Sequence, residues 1–110
     1  MKTSEVLNAA LEKFGPKGER WTKGAYARNS ADNKCNEFSS EAVCFCSLGA
    51  IRVVSGIVDD DSKAVVMLSE AILEIYELDT VEFNDNPNRE FADVARMFLY
   101  AIAKARVAGD

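Results

Sequence analysis

Between Ala42 and Val54 the chain carries a single charge, Arg52, and its apolar residues leave no polar face. Read as a helix, the stretch opens after Ser39-Ser40, places Glu41 in its first turn and runs to about Ser55, ahead of Gly56. Ala42, Val43, Phe45, Cys46, Leu48, Ala50, Ile51, Val53 and Val54 then surround nearly the whole circumference. A helix apolar on every side belongs in the interior, with the other elements wrapped around it. Leu48 and Phe98 are both expected near the middle of that core.

Three amphipathic patterns supply the wrapping. The first covers residues 4–14, with Val6, Ala10, Leu11 and Phe14 on one face, Thr3 or Ser4 as cap, and Gly15-Pro16 as stop. A second follows Asp59-Asp60-Asp61-Ser62 and runs to Tyr76, on the stripe Ala64, Val65, Leu68, Ala71, Ile72 and Ile75. The acids at its start suit the positive end of the helix dipole. The last begins with Asn86 as cap and Pro87 at the first helical position, and reaches Val107. Phe91, Val94, Ala95, Phe98, Ala101, Ile102 and Ala105 recur along it at helical spacing. Residues 20–28 and 80–85 alternate like short strands and are expected to pair as a two-stranded patch. Residues 29–36 read as a polar loop. The fold expected is mainly α: a compact four-helix domain with a central buried helix and a small two-stranded β patch.

With 110 residues, 48% of them apolar and 28% charged, residues 1–110 make one globular domain rather than a disordered chain. No apolar run approaches the roughly 20 residues of a membrane helix. The start, Met1-Lys2-Thr3-Ser4-Glu5, lacks a signal-peptide layout. A cytoplasmic protein of bacterial or phage style is the expectation.

Histidine is absent, which removes serine- and cysteine-histidine catalysis, imidazole acid–base chemistry and most zinc sites. Cys35, Cys44 and Cys46 do not make a zinc pattern. On a helix, residues 44 and 46 would point about 200° apart, too divergent to share a metal. Buried apolar roles suit Cys44 and Cys46, whereas Cys35, among Asn33, Lys34, Asn36 and Glu37, is expected exposed. No catalytic residue, metal or cofactor is expected.

Net charge is −5, unevenly spread: residues 59–93 hold eleven acids against Lys63 and Arg89. Glu70, Glu74 and Glu77 share a helix face at i, i+4, i+7, where like charges repel. With Asp79 and Glu82 they form a candidate acidic face for a protein partner with a basic surface, set against the plainer reading of a solvated face. Nucleic acid is disfavoured, because no basic stripe is present. A homodimer through spare apolar residues such as Val66, Met67 or Met97 is a further arrangement left open.

Polar and aromatic residues gather in two segments: Trp21, Lys23, Tyr26 and Arg28, and Phe83, Asn84, Asp85 and Arg89. Trp21 and Tyr26 as an apolar wall, with Asn84, Asp85, Arg28 and Arg89 as polar anchors, would make a small-ligand site. Asp85 paired with Arg28 or Arg89 as a structural clasp is the competing reading.

Three motifs occur in order: Trp21-x-x-Gly24-x-x-Ala27-Arg28, Cys46-x-x-Gly49-Ala50 and Phe83-Asn84-Asp85-x-x-x-Arg89. Over residues 7–105 the chain resembles an uncharacterised bacterial and phage family of small proteins carrying W-x-x-G-x-x-A-R, C-x-x-G-A and W-N-D-x-x-x-R, with Phe83 in place of the usual Trp. The resemblance implies an architecture and no activity, and it groups Trp21, Gly24, Arg28, Cys46, Gly49, Asn84, Asp85 and Arg89 together. Of the functions left, the leading expectation is a non-enzymatic binding protein, such as a phage or mobile-element accessory inhibiting a host-defence protein through its acidic surface. The alternative is a small-molecule or nucleotide binder, or a minimal enzyme, using the Trp21–Asp85 region.

Overall fold

A computed structural model describes residues 1–59 and 62–110. Its order is α1 (Thr3–Lys13), β1 (Ala27–Arg28), β2 (Lys34–Cys35), β3 (Cys44–Phe45), α2 (Ser47–Ser55), α3 (Lys63–Tyr76), α4 (Thr80–Asp85) and α5 (Phe91–Val107). The chain is mainly helical with a small β patch, as expected, but the elements are divided differently.

The central helix is nine residues long, shorter by about two turns than its apolar pattern suggests. Residues 44–45 are a strand, Cys46 is the N-cap, and only Ser47–Ser55 is helical. Ser47 through Ile51 are buried, so the helix does enter the core. An apolar run without periodicity satisfies a buried strand as well as a buried helix, and here the pairing decides. Ala27 lies opposite both Cys35 and Phe45, and Arg28 opposite both Lys34 and Cys44, in an antiparallel sheet of order β2-β1-β3. Cys35, expected exposed, is therefore half-buried against the core.

Residues 80–85, expected as a strand, form a helical turn and a half. The Asp79 carboxylate caps it, accepting from the Glu82 amide at 2.8 Å. The turn at residues 86–90 follows, so Pro87 precedes α5 rather than opening it, and Glu90 is the N-cap. At the first helix the N-cap is Lys2; Thr3 and Ser4 are buried in the opening turn, with the Thr3 hydroxyl donating to the Asp110 carboxylate at 2.5 Å. Ser62 caps α3, accepting from the Val65 amide at 3.3 Å. Of the acids expected at that start, Asp60 and Asp61 lie outside the described residues.

The core lies where α1, α2, α3 and α5 meet, with α1 packed on α5 and α2 and α3 packed on α5. Phe14 and Phe98 are fully buried and meet edge to face at 5.5 Å, a favoured ring geometry. Leu48 is buried too. One stripe residue departs: Ile75 is 55% exposed. The i+4 neighbour of Ile72, Tyr76, takes the inward place instead, with its ring 4.7 Å from that of the buried Phe83.

Candidate functional site

Asn84 is an amide in a nearly dry place, 2% exposed, and every hydrogen-bonding position on it is filled. Its Oδ1 accepts from the Trp21 indole N–H at 2.8 Å, the Ser47 amide at 3.1 Å and the Ser47 hydroxyl at 2.7 Å. Its Nδ2 donates to the Thr22 carbonyl at 3.1 Å and to Asp85 Oδ1 at 2.9 Å. Three donors on one side and two acceptors on the other leave the amide one orientation. The side chain joins α4, the N-terminus of α2 and the segment before β1.

Two further contacts latch the same segments. The Gly24 amide donates to Asp85 Oδ1 at 3.0 Å, from a backbone at φ 76° that side-chain-bearing residues rarely adopt. The Lys23 ammonium donates to the carbonyls of Asn86 at 2.8 Å and Arg89 at 2.9 Å, closing the turn after α4.

Inside this latch lies a cavity of about 290 Å³, lined by Gly24, Ala25, Tyr26, Cys46, Ser47, Leu48, Thr80, Val81, Asn84 and Asp85. That is the small end of the roughly 300–1,000 Å³ typical of ligand sites. Of the six candidate ligand residues, Tyr26, Asn84 and Asp85 line it. Trp21 stands one hydrogen bond behind, on Asn84. The two arginines are elsewhere. Arg28 donates from Nε to the Thr22 hydroxyl at 3.0 Å and from its guanidinium to the carbonyls of Lys23 and Asp32. Arg89 stacks 4.0 Å above Phe83 and 4.8 Å above Tyr76, and donates to the Phe83 carbonyl at 2.9 Å. Neither pairs with Asp85, so the clasp is built by the Asn84 amide rather than by an ion pair.

Asp85 is the one charged residue of the lining, half-buried, with Oδ1 taken by Gly24 and Asn84. No hydrogen bond or ion pair among the described residues reaches its Oδ2. At the start of α2, which faces the cavity through Ser47 and Leu48, the Ser47 amide donates to Asn84 and the Gly49 amide to Cys46 Sγ at 3.3 Å. Burial pushes the Cys46 thiol up; bonds from the Gly49 and Leu48 amides oppose it in part, and the negative potential of Asp85 and then Glu37 adds a smaller push upward. A thiol held in its neutral form is a poor nucleophile.

Ala25, Ser47, Leu48, Thr80 and Val81 line the cavity without having stood among the candidate residues, whereas Gly24 and Cys46 belong to the motif grouping. A support on the outer side was also missed. Arg52 reaches Glu37 at 3.1 Å, both side chains being nearly buried, and its guanidinium covers the Tyr26 ring at 4.1 Å. This pair holds the aromatic wall. Fifteen residues separate the two partners, and no local spacing announces the contact.

The candidate acidic face is heterogeneous. Glu70 and Glu74 are exposed on α3, whereas Glu77 is its C-cap, in the left-handed conformation at φ 57°. Glu74 accepts from Lys104 at 2.7 Å, and bonds from Lys104 and Tyr100 hold its carboxyl below the ordinary range. The amide and then the carboxyl of Glu82 hold Asp79 down, while the bond with the Asp79 carboxyl raises Glu82. Glu70 and Glu77 take part in no ion pair among the described residues.

No group of three or more candidate metal ligands occurs among the described residues, and no helix is long and apolar enough to cross a membrane. No curated protein and no solved structure matches the chain. A family model does, over residues 1–104, and the chain therefore belongs to DUF6197, a family of unknown function.

Proposed function

We propose that this protein is a ligand-binding module whose cavity, between the Gly24–Tyr26 segment, the start of α2 and α4, takes a small molecule. The observation that carries this reading is the construction of the site. A saturated amide, Asn84, and a positive-φ glycine, Gly24, hold three distant segments around a space that no side chain fills. Rigid walls with a few placed polar groups are what small-ligand sites consist of. The neutral thiol of Cys46 and the absence of histidine support binding without covalent chemistry.

Val81 lines the cavity yet is 50% exposed, so Val81→Phe narrows the site with little effect on the core. Compounds that raise the melting temperature and alter emission from Trp21, the sole tryptophan, are expected to lose at least about tenfold in affinity in this variant. Equal affinity for both proteins would place binding outside the cavity and overturn the reading.

A second reading, a basic protein partner on α3, is favoured by the exposed stripe of Val66, Glu70 and Leu73, which Glu77 extends. Val66 is 40% and Leu73 58% exposed. The leading expectation from composition, a mobile-element inhibitor of a host protein, would act here. Reversal of Glu70 and Glu77 to Lys is expected to abolish partner binding and its salt sensitivity together; binding that survives unchanged overturns this second reading.

A further inference from the structure

We infer that the cavity is selective for an alkylammonium, a primary amine carried on a compact apolar body. This inference rests on the ligand-binding reading above and specifies its chemistry. Asp85 is the single charged residue of the lining, and its Oδ2 is without a partner among the described residues. A half-buried carboxylate beside apolar walls has lost part of its hydration, and a cation that hydrogen-bonds to it restores the balance.

The cations nearest the cavity, which would favour an anion, are engaged elsewhere. Lys23 donates to the carbonyls of the 86–89 turn, and Arg28 to Thr22, Lys23 and Asp32. The first amides of α2 close on Asn84 and Cys46. The Thr80 hydroxyl is bonded to that of Ser69 at 2.8 Å. What the lining offers a charged ligand is one acceptor of negative charge, set among the apolar surfaces of Ala25, Tyr26, Leu48 and Val81. Such a site rewards a donor cation and rejects a carboxylate by direct repulsion.

The test is a titration by calorimetry with three head groups on two apolar bodies: cyclohexylamine, cyclohexanol and cyclohexanecarboxylate, and the pentyl equivalents. Amines are expected to bind at least about tenfold more tightly than the alcohols, with the carboxylates weakest and the preference shrinking as salt is added. Asp85→Asn keeps an oxygen for the Gly24 amide and is expected to erase the amine preference, so that amines and alcohols bind alike. Nα-acetyl-lysine methylamide, whose side-chain ammonium is free, separates the two sources of this chemistry in the same panel: tighter binding than pentylamine points to a lysine side chain, weaker binding to a free amine. Alcohols binding as well as amines, or an amine preference that survives Asp85→Asn, overturns the inference and leaves the cavity reading standing. Failure of every compound in every series overturns both.

Discussion

Asn84→Leu is expected to lower the unfolding free energy by about 4 kcal/mol, a large share of the roughly 5–15 kcal/mol available to a domain of this size. Leu repeats the branching of Asn with bulkier ends, so crowding accounts for only part of the loss. The rest comes from the partners left behind: the Trp21 indole N–H, the Ser47 hydroxyl and amide, and the Thr22 carbonyl, which all meet on this one amide. A buried donor or acceptor stripped of its partner costs about 1–3 kcal/mol, and water entering from the cavity side offsets part of the sum.

Asn84→Asp separates the contributions. It keeps the oxygen that Trp21 and Ser47 address, but it places a second carboxylate where Nδ2 stands 2.9 Å from Asp85 Oδ1. Adding Asp85→Asn to that variant restores a donor between the two positions and is expected to recover at least about 1 kcal/mol, a coupling visible only in the double mutant. Denaturant unfolding of the parent, Asn84→Leu, Asn84→Asp, Asp85→Asn and the double variant makes the comparison. Asn84→Leu within about 1 kcal/mol of the parent would mean that the amide merely fills the junction of these segments.

How far such a site can be read from sequence depends on how local its parts are. The helices α3 and α5 are legible because Leu68, Ala71 and Ile72, and Val94, Phe98, Ala101 and Ile102, repeat over several turns on one buried face. α4 is six residues long, too short for periodicity to speak, and Val81 and Phe83 alternate as a strand would. Its identity rests on the Asp79 cap, a signal present in the sequence and outweighed by that alternation. Residues 44–45 were illegible for another reason. Cys44 and Phe45 have side chains that suit either state, and pairing with Ala27 and Arg28, far away in sequence, selects the strand.

The grouping of Trp21, Gly24, Cys46, Gly49, Asn84 and Asp85 was legible from the motifs, but the role of the arginines was not. Charge suggested that Arg28 and Arg89 would meet Asp85. Instead their donors find backbone carbonyls, and Arg89 finds two rings, contacts that carry no sequence signature.

Gly49→Ala is expected to cost about 3 kcal/mol, several times the cost of the same change at Gly56. A Cβ on Gly49 would stand 2.1 Å from the Tyr26 carbonyl oxygen and 3.0 Å from its carbon, both backbone atoms that no rotamer change can move. At Gly56 nothing lies within 4 Å, so its left-handed φ of 72° alone is tested, at about 1 kcal/mol. The contrast isolates the close approach of α2 to the strand segment. That approach also sets the width of the cavity, since Tyr26 lies on one wall and Ser47 and Leu48 on the other. The methyl group therefore acts twice: it strains the Cys46 amide's bond to the Tyr26 carbonyl, 3.1 Å long, and it pries the walls apart. Weakened ligand binding beside lost stability follows from one displacement. A Gly49→Ala protein as stable as Gly56→Ala would mean that α2 can shift on the sheet, and the cavity would then be a pliable gap with no fixed shape to select a ligand.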